Sequence, residues 1–174
     1  MTTKTAAKKK NGFKKFWRLG MEEFNTGMFD ISPDGTQFVT PEGEETVGVY
    51  SLLSGKMVLR LTGLAERPAA VGYSSDGSLI AVGSSFEHTY VRIYRTEDGA
   101  LMQTLEQTGK NKYPVNWLQF APDGITLFVG YWDWRIRMWD VSSGQILKTL
   151  DTRSEQGAHD FSLSGDGQLL AVGQ

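Results

Sequence analysis

A tight turn built on Asp-Gly returns four times along this chain at a nearly constant interval. That period limits the possible folds more than any other feature. The copies are Ser32-Pro33-Asp34-Gly35, Ser75-Asp76-Gly77, Pro122-Asp123-Gly124 and Gly165-Asp166-Gly167, with their aspartates 42, 47 and 43 residues apart. Self-similarity at 20–50 residues signals repeated supersecondary units. Pro at the second place and Gly at the fourth suit a type I turn, although only the first and third copies carry the Pro. Strand-like runs flank every copy: residues 28–32, 69–74, 115–121 and 160–164 before it, and 37–40, 79–83, 126–130 and 169–173 after it. A tight turn between two short β-rich runs is a hairpin.

A third run follows at 46–50, 90–94 and 135–139. Its apolar residues sit two apart, as Val47 and Val49, Val91 and Ile93, Ile136 and Met138, so each pair shares a sheet face. A second turn comes next, at Ser54-Gly55, Asp98-Gly99 and Ser143-Gly144. A fourth run (56–61, 100–105, 145–150) ends each time in Leu, six residues after that Gly. The unit is four short antiparallel strands. One such sheet cannot bury both faces, and stacking against its neighbours around an axis solves the problem.

These residues resemble the WD-repeat β-propeller family. Ile136-Arg137-Met138-Trp139-Asp140 looks like the signature end of a WD repeat, with Tyr50 and Tyr94 in the Trp place of the other blades. The segment from Leu61-Thr62-Gly63-Leu64 through to Gly77 has the family's spacing between outer strand and turn. The resemblance covers roughly residues 14–174 and implies an all-β fold of four-stranded antiparallel blades in an incomplete ring. It holds three full blades and half of a fourth, and residues 1–13 are expected to be a basic, disordered tail. The family's Asp before the third strand matches Asp133; Glu44 and His88 stand in that place elsewhere. Leu64 replaces the His that often opens a blade, and Val129 the Ser or Thr of the second strand. The family's buried Asp–His–Ser–Trp network is therefore incomplete in every blade, and apolar packing is expected to carry more of the load. Asp133, Trp139 and Asp140 take structural roles on this reading, with Trp139 buried and Trp132 less so.

The two ends extend the pattern. Phe16-Trp17-Arg18-Leu19 has the spacing to the first turn that Leu61 has to the second, so it reads as an outermost strand without a blade of its own. The chain reaches Gln174 in mid-blade. An open arc is expected, with Phe29, Ile31, Val47 and Val49 as candidates to meet a missing neighbour, and with exposed edges that favour self-association.

Charge is unevenly spread. Residues 1–21 carry seven bases and no acid, and the remainder 11 bases against 20 acids. Such an arm could contact nucleic acid or an anionic surface through Lys8, Lys9, Lys10, Lys14 and Lys15. The chain has no Cys, which excludes disulfides and thiolate metal sites. No apolar run approaches a membrane span, and the Lys-rich start lacks the apolar core of a secretory signal, so a cytoplasmic protein is expected.

No catalytic constellation is visible. His88 and His159 are the only histidines, without a second His or Cys at zinc-ligand spacing, and no phosphate-binding Gly-rich loop or nucleophile elbow occurs. Neither enzyme activity, metal nor cofactor is expected. The acidic run Glu42, Glu44, Glu45 reads as a solvated loop. The loop Tyr131-Trp132-Asp133-Trp134-Arg135 is different, because Trp and Arg are common anchors at protein interfaces. The family resemblance implies a scaffold for protein partners. It places contact residues at Trp132 and Glu87 in the loop before the third strand, and at Arg67, Lys112 and Glu155 leading into the first strand; Trp134 joins Trp132 as a candidate.

Overall fold

The computed structural model describes residues 2–5, 16–19, 28–84, 89–109, 112–152 and 160–173. All regular structure among them is β. Blade one is β3 (Asp30–Ile31), β4 (Gln37–Pro41), β5 (Val47–Ser51) and β6 (Met57–Leu61). Blade two is β7 (Pro68–Tyr73), β8 (Leu79–Ser84), β9 (Tyr90–Arg95) and β10 (Leu101–Glu106). Blade three is β11 (Val115–Phe120), β12 (Thr126–Tyr131), β13 (Arg135–Asp140) and β14 (Gln145–Asp151). Each is an antiparallel sheet in sequence order. A two-stranded hairpin follows, β15 (Asp160–Leu163) with β16 (Leu170–Gly173).

The recurring turn is held by its own side chains. Ser32 Oγ donates to Asp34 Oδ1 at 2.6 Å, Ser74 Oγ to Asp76 Oδ1 at 2.6 Å, and Ser164 Oγ to Asp166 Oδ1 at 2.5 Å. The same serine oxygen accepts the amide of Gln37, Leu79 or Leu169 across the hairpin. Blade three has Ala121 in the serine place. There Asp123 accepts from the Thr126 amide and hydroxyl instead, at 2.9 and 2.7 Å.

These bonds hold the Asp34, Asp76 and Asp166 carboxyls below their ordinary range, with the serine hydroxyl as the largest cause. Asp98 falls to about 2 beside Arg95, and Asp140 to about 2 under the hydroxyl of Ser142. A carboxyl lowered in the folded state stabilises it above the unfolded value of 3.8 and loses that contribution as pH falls through the folded value. The melting temperature should therefore hold down to pH 4 and drop progressively towards pH 2, as thermal melts across that range will show.

Alternation along each strand sends neighbours into different cores. In blade two, Ile80 and Val82 join Val39, Val49 and Leu61 of blade one, while Ala81, Val91 and Ile93 join Leu118, Leu127 and Trp139 of blade three. A third core joins Phe128 and Ile136 to Phe161 of the last hairpin. Small residues line one side of each contact. A Cβ on Gly83 would lie 2.6 Å from Val115 Cγ1, and one on Gly72 would lie 2.9 Å from Leu118 Cδ1, so only glycine lets these sheets approach. Polar bonds also cross between blades: Tyr73 N donates to Asp30 Oδ2 at 2.7 Å, and Leu163 N to Gln119 Oε1 at 3.0 Å.

Two expectations need correction. Thr2–Thr5, placed in a tail without regular structure, forms strand β1, antiparallel to β2 (Phe16–Leu19). Thr residues favour strands, and a paired backbone satisfies the amides that a free tail would leave to water. Val47 and Val49 are fully buried against blade two and do not await a neighbour, whereas Phe29 and Ile31 are exposed. Val47 and Val49 thus meet the blade that follows theirs, whereas Val71 and Tyr73, the counterparts of Phe29 and Ile31 in blade two, meet the blade before.

Candidate functional site

Trp139 lies at the centre of blade three, 1% exposed, and its indole Nε1 donates to the Tyr131 hydroxyl at 3.1 Å. Burial pushes the Tyr131 phenol up, so it stays neutral as acceptor. The Arg137 guanidinium stacks 4.7 Å above the Tyr131 ring and makes two bonds to Asp133, at 3.1 and 2.6 Å. Asp133 also pairs with Arg135 at 3.5 Å. The chain Trp139–Tyr131–Arg137–Asp133 thus supplies the polar tie for which the sequence offers no complete Asp–His–Ser–Trp set. Asp133 and Trp139 are the two ends of this chain of contacts. Asp140 accepts from Ser142 Oγ and Ser143 N at the outer turn.

The other blades use different pieces in the same places. In blade two, Arg92 stacks 4.7 Å over Tyr90 and donates to the Gly63 carbonyl, while the Tyr94 hydroxyl donates to the Thr62 carbonyl at 3.2 Å. In blade one, Tyr50 stacks on Phe38 at 5.2 Å and donates to Glu42 Oε1 at 2.7 Å. Burial and Glu42 raise that phenol to about 12. Glu42 also pairs with Arg60 at 3.1 Å, so it is not the freely solvated side chain expected of its loop; Glu44 and Glu45 are exposed.

The network holds up a loop that presents two tryptophans. Trp132 is 63% exposed and Trp134 is 38% exposed. Trp134 has φ of 60°, the single positive φ of a non-glycine among the described residues. A bulky residue there costs on the order of 1–3 kcal/mol of backbone strain. The backbone is pinned on both sides. Trp132 N donates to the Pro114 carbonyl at 3.1 Å, Trp134 N to the Tyr131 carbonyl at 3.1 Å, and Thr152 N to the Trp134 carbonyl at 3.0 Å. The Val115–Tyr131 pairing brings exposed Lys112, just before β11, to the same end of the blade as both tryptophans. Arg67 is half-buried at the corresponding end of blade two, before β7. Glu87 and Glu155 lie outside the described residues, as do Lys8, Lys9, Lys10, Lys14 and Lys15.

Tyr131, Arg137 and Glu42 were missed from the sequence. A signal existed for one of them: Arg recurs at 92 and 137, the same place in two blades, each time near a Tyr. Glu42 had no such marker, since its reach to Tyr50 depends on how the loop after β4 folds back. Among the described residues no cluster of His, Cys, Asp or Glu could hold a metal ion, and no helix is long and apolar enough to cross a membrane.

Comparison with known proteins agrees with this architecture. Autophagy-related protein 16 of Arabidopsis thaliana is 24% identical over 140 residues, 80% of this chain and 26% of that protein. COMPASS component SWD3 of Saccharomyces cerevisiae is 28% identical over 144 residues, 82% of this chain and 44% of that protein. The chain thus spans less than half the length of either relative. A family model described as the anaphase-promoting complex subunit 4 WD40 domain matches residues 71–162, from the first strand of blade two through blade three to the start of the last hairpin. That match covers more than half of the chain, and the protein belongs to this family of WD40 domains.

Proposed function

We propose that this chain is a scaffold that holds protein partners, and that Trp132 and Trp134 form the centre of its contact surface. One observation carries the reading: a bulky Trp is kept in a left-handed conformation, beside an exposed Trp, on a loop braced by a buried Asp–Arg pair. Strain of this kind persists where the surroundings enforce it, and it concentrates at binding sites. Exposed Trp and Arg on a rigid mount supply contact area at small entropic cost. Lys112 and Arg67 extend the surface at the same end of the neighbouring strands. Membership of a WD40 family and likeness to a named complex component support the protein-partner reading. They lend no support to nucleic-acid binding through the lysine-rich arm.

Affinity-purified partners of the chain should be lost from Trp132→Ala. Measured against a purified partner, that variant should bind about 30-fold more weakly, equivalent to about 2 kcal/mol at a hot spot. Its stability should change by less than about 0.5 kcal/mol, because the side chain is largely in water. Trp134→Gly should relieve the backbone and raise stability while weakening binding. Unchanged partner binding by both variants would remove this surface from the proposal.

A further inference from the structure

Blade two differs from its neighbours at the outer turn. The residue before the turn glycine is Ser54 in blade one and Ser143 in blade three, but Asp98 in blade two. Asp followed by Gly carries both reagents for a rearrangement of the main chain. The Gly99 nitrogen, uncrowded by a side chain of its own, can attack the carboxyl carbon of Asp98. Ser54 and Ser143 have no carboxyl to attack. The inner turns do repeat the pair, at Asp34, Asp76, Asp123 and Asp166.

The two kinds of turn lock the carboxyl differently. Inner-turn aspartates are held by neutral donors: the hydroxyls of Ser32 and Thr36 at Asp34, of Ser74 and Ser78 at Asp76, of Thr126 at Asp123 and of Ser164 at Asp166. Asp98 is held by a charge. Arg95 Nε donates to Oδ1 at 2.9 Å and Nη2 to Oδ2 at 2.7 Å, and the Ala100 amide adds a bond at 3.1 Å. The Gly99 nitrogen is occupied too, donating to the Arg95 carbonyl at 2.9 Å. Arg95 thus restrains both reagents. Its guanidinium holds the carboxyl down to about 2, and only the acid form loses its hydroxyl readily as water. The Arg95 side chain is 45% exposed and that of Asp98 49%, so dissolved salt screens this lock and not the hydroxyl ones.

We propose that Asp98–Gly99 is a site of isoaspartate formation gated by Arg95. When the ion pair opens, the Gly99 nitrogen bonds to Asp98 Cγ. The carboxyl loses its hydroxyl, which leaves with the amide proton as water. The product is a cyclic imide. Water then adds back and breaks one of the two C–N bonds of the imide. Breaking the older one, to the Asp98 main-chain carbonyl, leaves Gly99 joined through Cγ, with the same atoms as before. The main chain is now longer by the Asp98 Cβ. Gly99 is packed too closely to absorb this: an added Cβ there would lie 3.2 Å from Leu59 Cδ1 and 3.2 Å from Leu61 Cδ2, both of blade one. The rearranged turn pushes blade two off the outer strand of blade one.

The intact 174-residue chain, held folded at neutral pH and mapped by mass spectrometry with electron-transfer fragmentation, should accumulate isoaspartate at Asp98. Raising sodium chloride to about 1 M should speed that reaction about 3-fold and leave the inner turns unchanged. Arg95→Met should speed it about 5-fold at low salt, remove the salt response and leave circular dichroism unaltered. Arg95→Lys, which keeps the charge but not the paired geometry, should fall between the two. The isoaspartate fraction should melt below the unreacted chain. No isoaspartate at Asp98, or a rate blind to both salt and Arg95→Met, would overturn the proposal. So would an equal rise at the inner turns, which marks general unfolding and not this gate.

Discussion

Replacing Trp139 by alanine should destabilise the fold by about 3–5 kcal/mol, the range for truncating a large buried aromatic. Its side chain is 1% exposed and packs in the core shared by blades two and three. Truncation opens a cavity between sheets whose spacing is fixed by packed side chains, such as Val115 on Gly83 and Leu118 on Gly72, so it closes only in part. It also leaves the Tyr131 hydroxyl without its indole donor in a buried place. Urea titration should show the midpoint falling with little change in slope. Trp139→Phe should recover most of the packing and none of the hydrogen bond, so the gap between Phe and Ala separates the two contributions.

Asp133→Ala should cost about 3–5 kcal/mol, the penalty for stranding one partner of a buried ion pair. The Asp133 side chain is 5% exposed and that of Arg137 is 12% exposed, so neither charge is well solvated by itself. Without the carboxylate, Arg137 must leave its stack on Tyr131 to reach water or remain buried unpaired. Arg137→Met alone leaves the Asp133 carboxylate with Arg135, 3.5 Å away, as its remaining partner, and should lose less than Asp133→Ala. The double variant should be more stable than the sum of the two losses, and a cycle of denaturation measurements gives the coupling directly. The same cycle bears on binding. Asp133→Ala should loosen the Trp132–Trp134 loop even in chains that remain folded, so partner affinity falls further than stability alone explains.

How far the site could be read from the sequence differs from residue to residue. Trp139 could be placed because it ends a strand whose alternation and repeat position were both visible. Trp132 could be read as the more exposed of the two, since it precedes the third strand in a turn. Arg137 could not be assigned, because its role depends on Tyr131 standing beneath it and Asp133 folding back over it, and those three meet only when β12 and β13 pair. The Val47 and Val49 expectation failed for a related reason. Period two says that the residues share a face, but not which neighbouring blade that face meets. β1 was missed because a short Thr-Lys segment has no hydrophobic pattern of its own and is a strand only through its pairing with β2.

The sequence by itself determined the repeat, the four-strand unit, the turn chemistry and the family, because each rests on local spacing and on residue types that fix backbone angles. Only the tertiary structure decided which side chains tie each blade together, and which surfaces stay open. Those depend on contacts between residues far apart in the chain. Gly83 beneath Val115 and Gly130 beneath Phe161 hold the same place in their own units, and only the packing of the following unit decides which side chain each one meets.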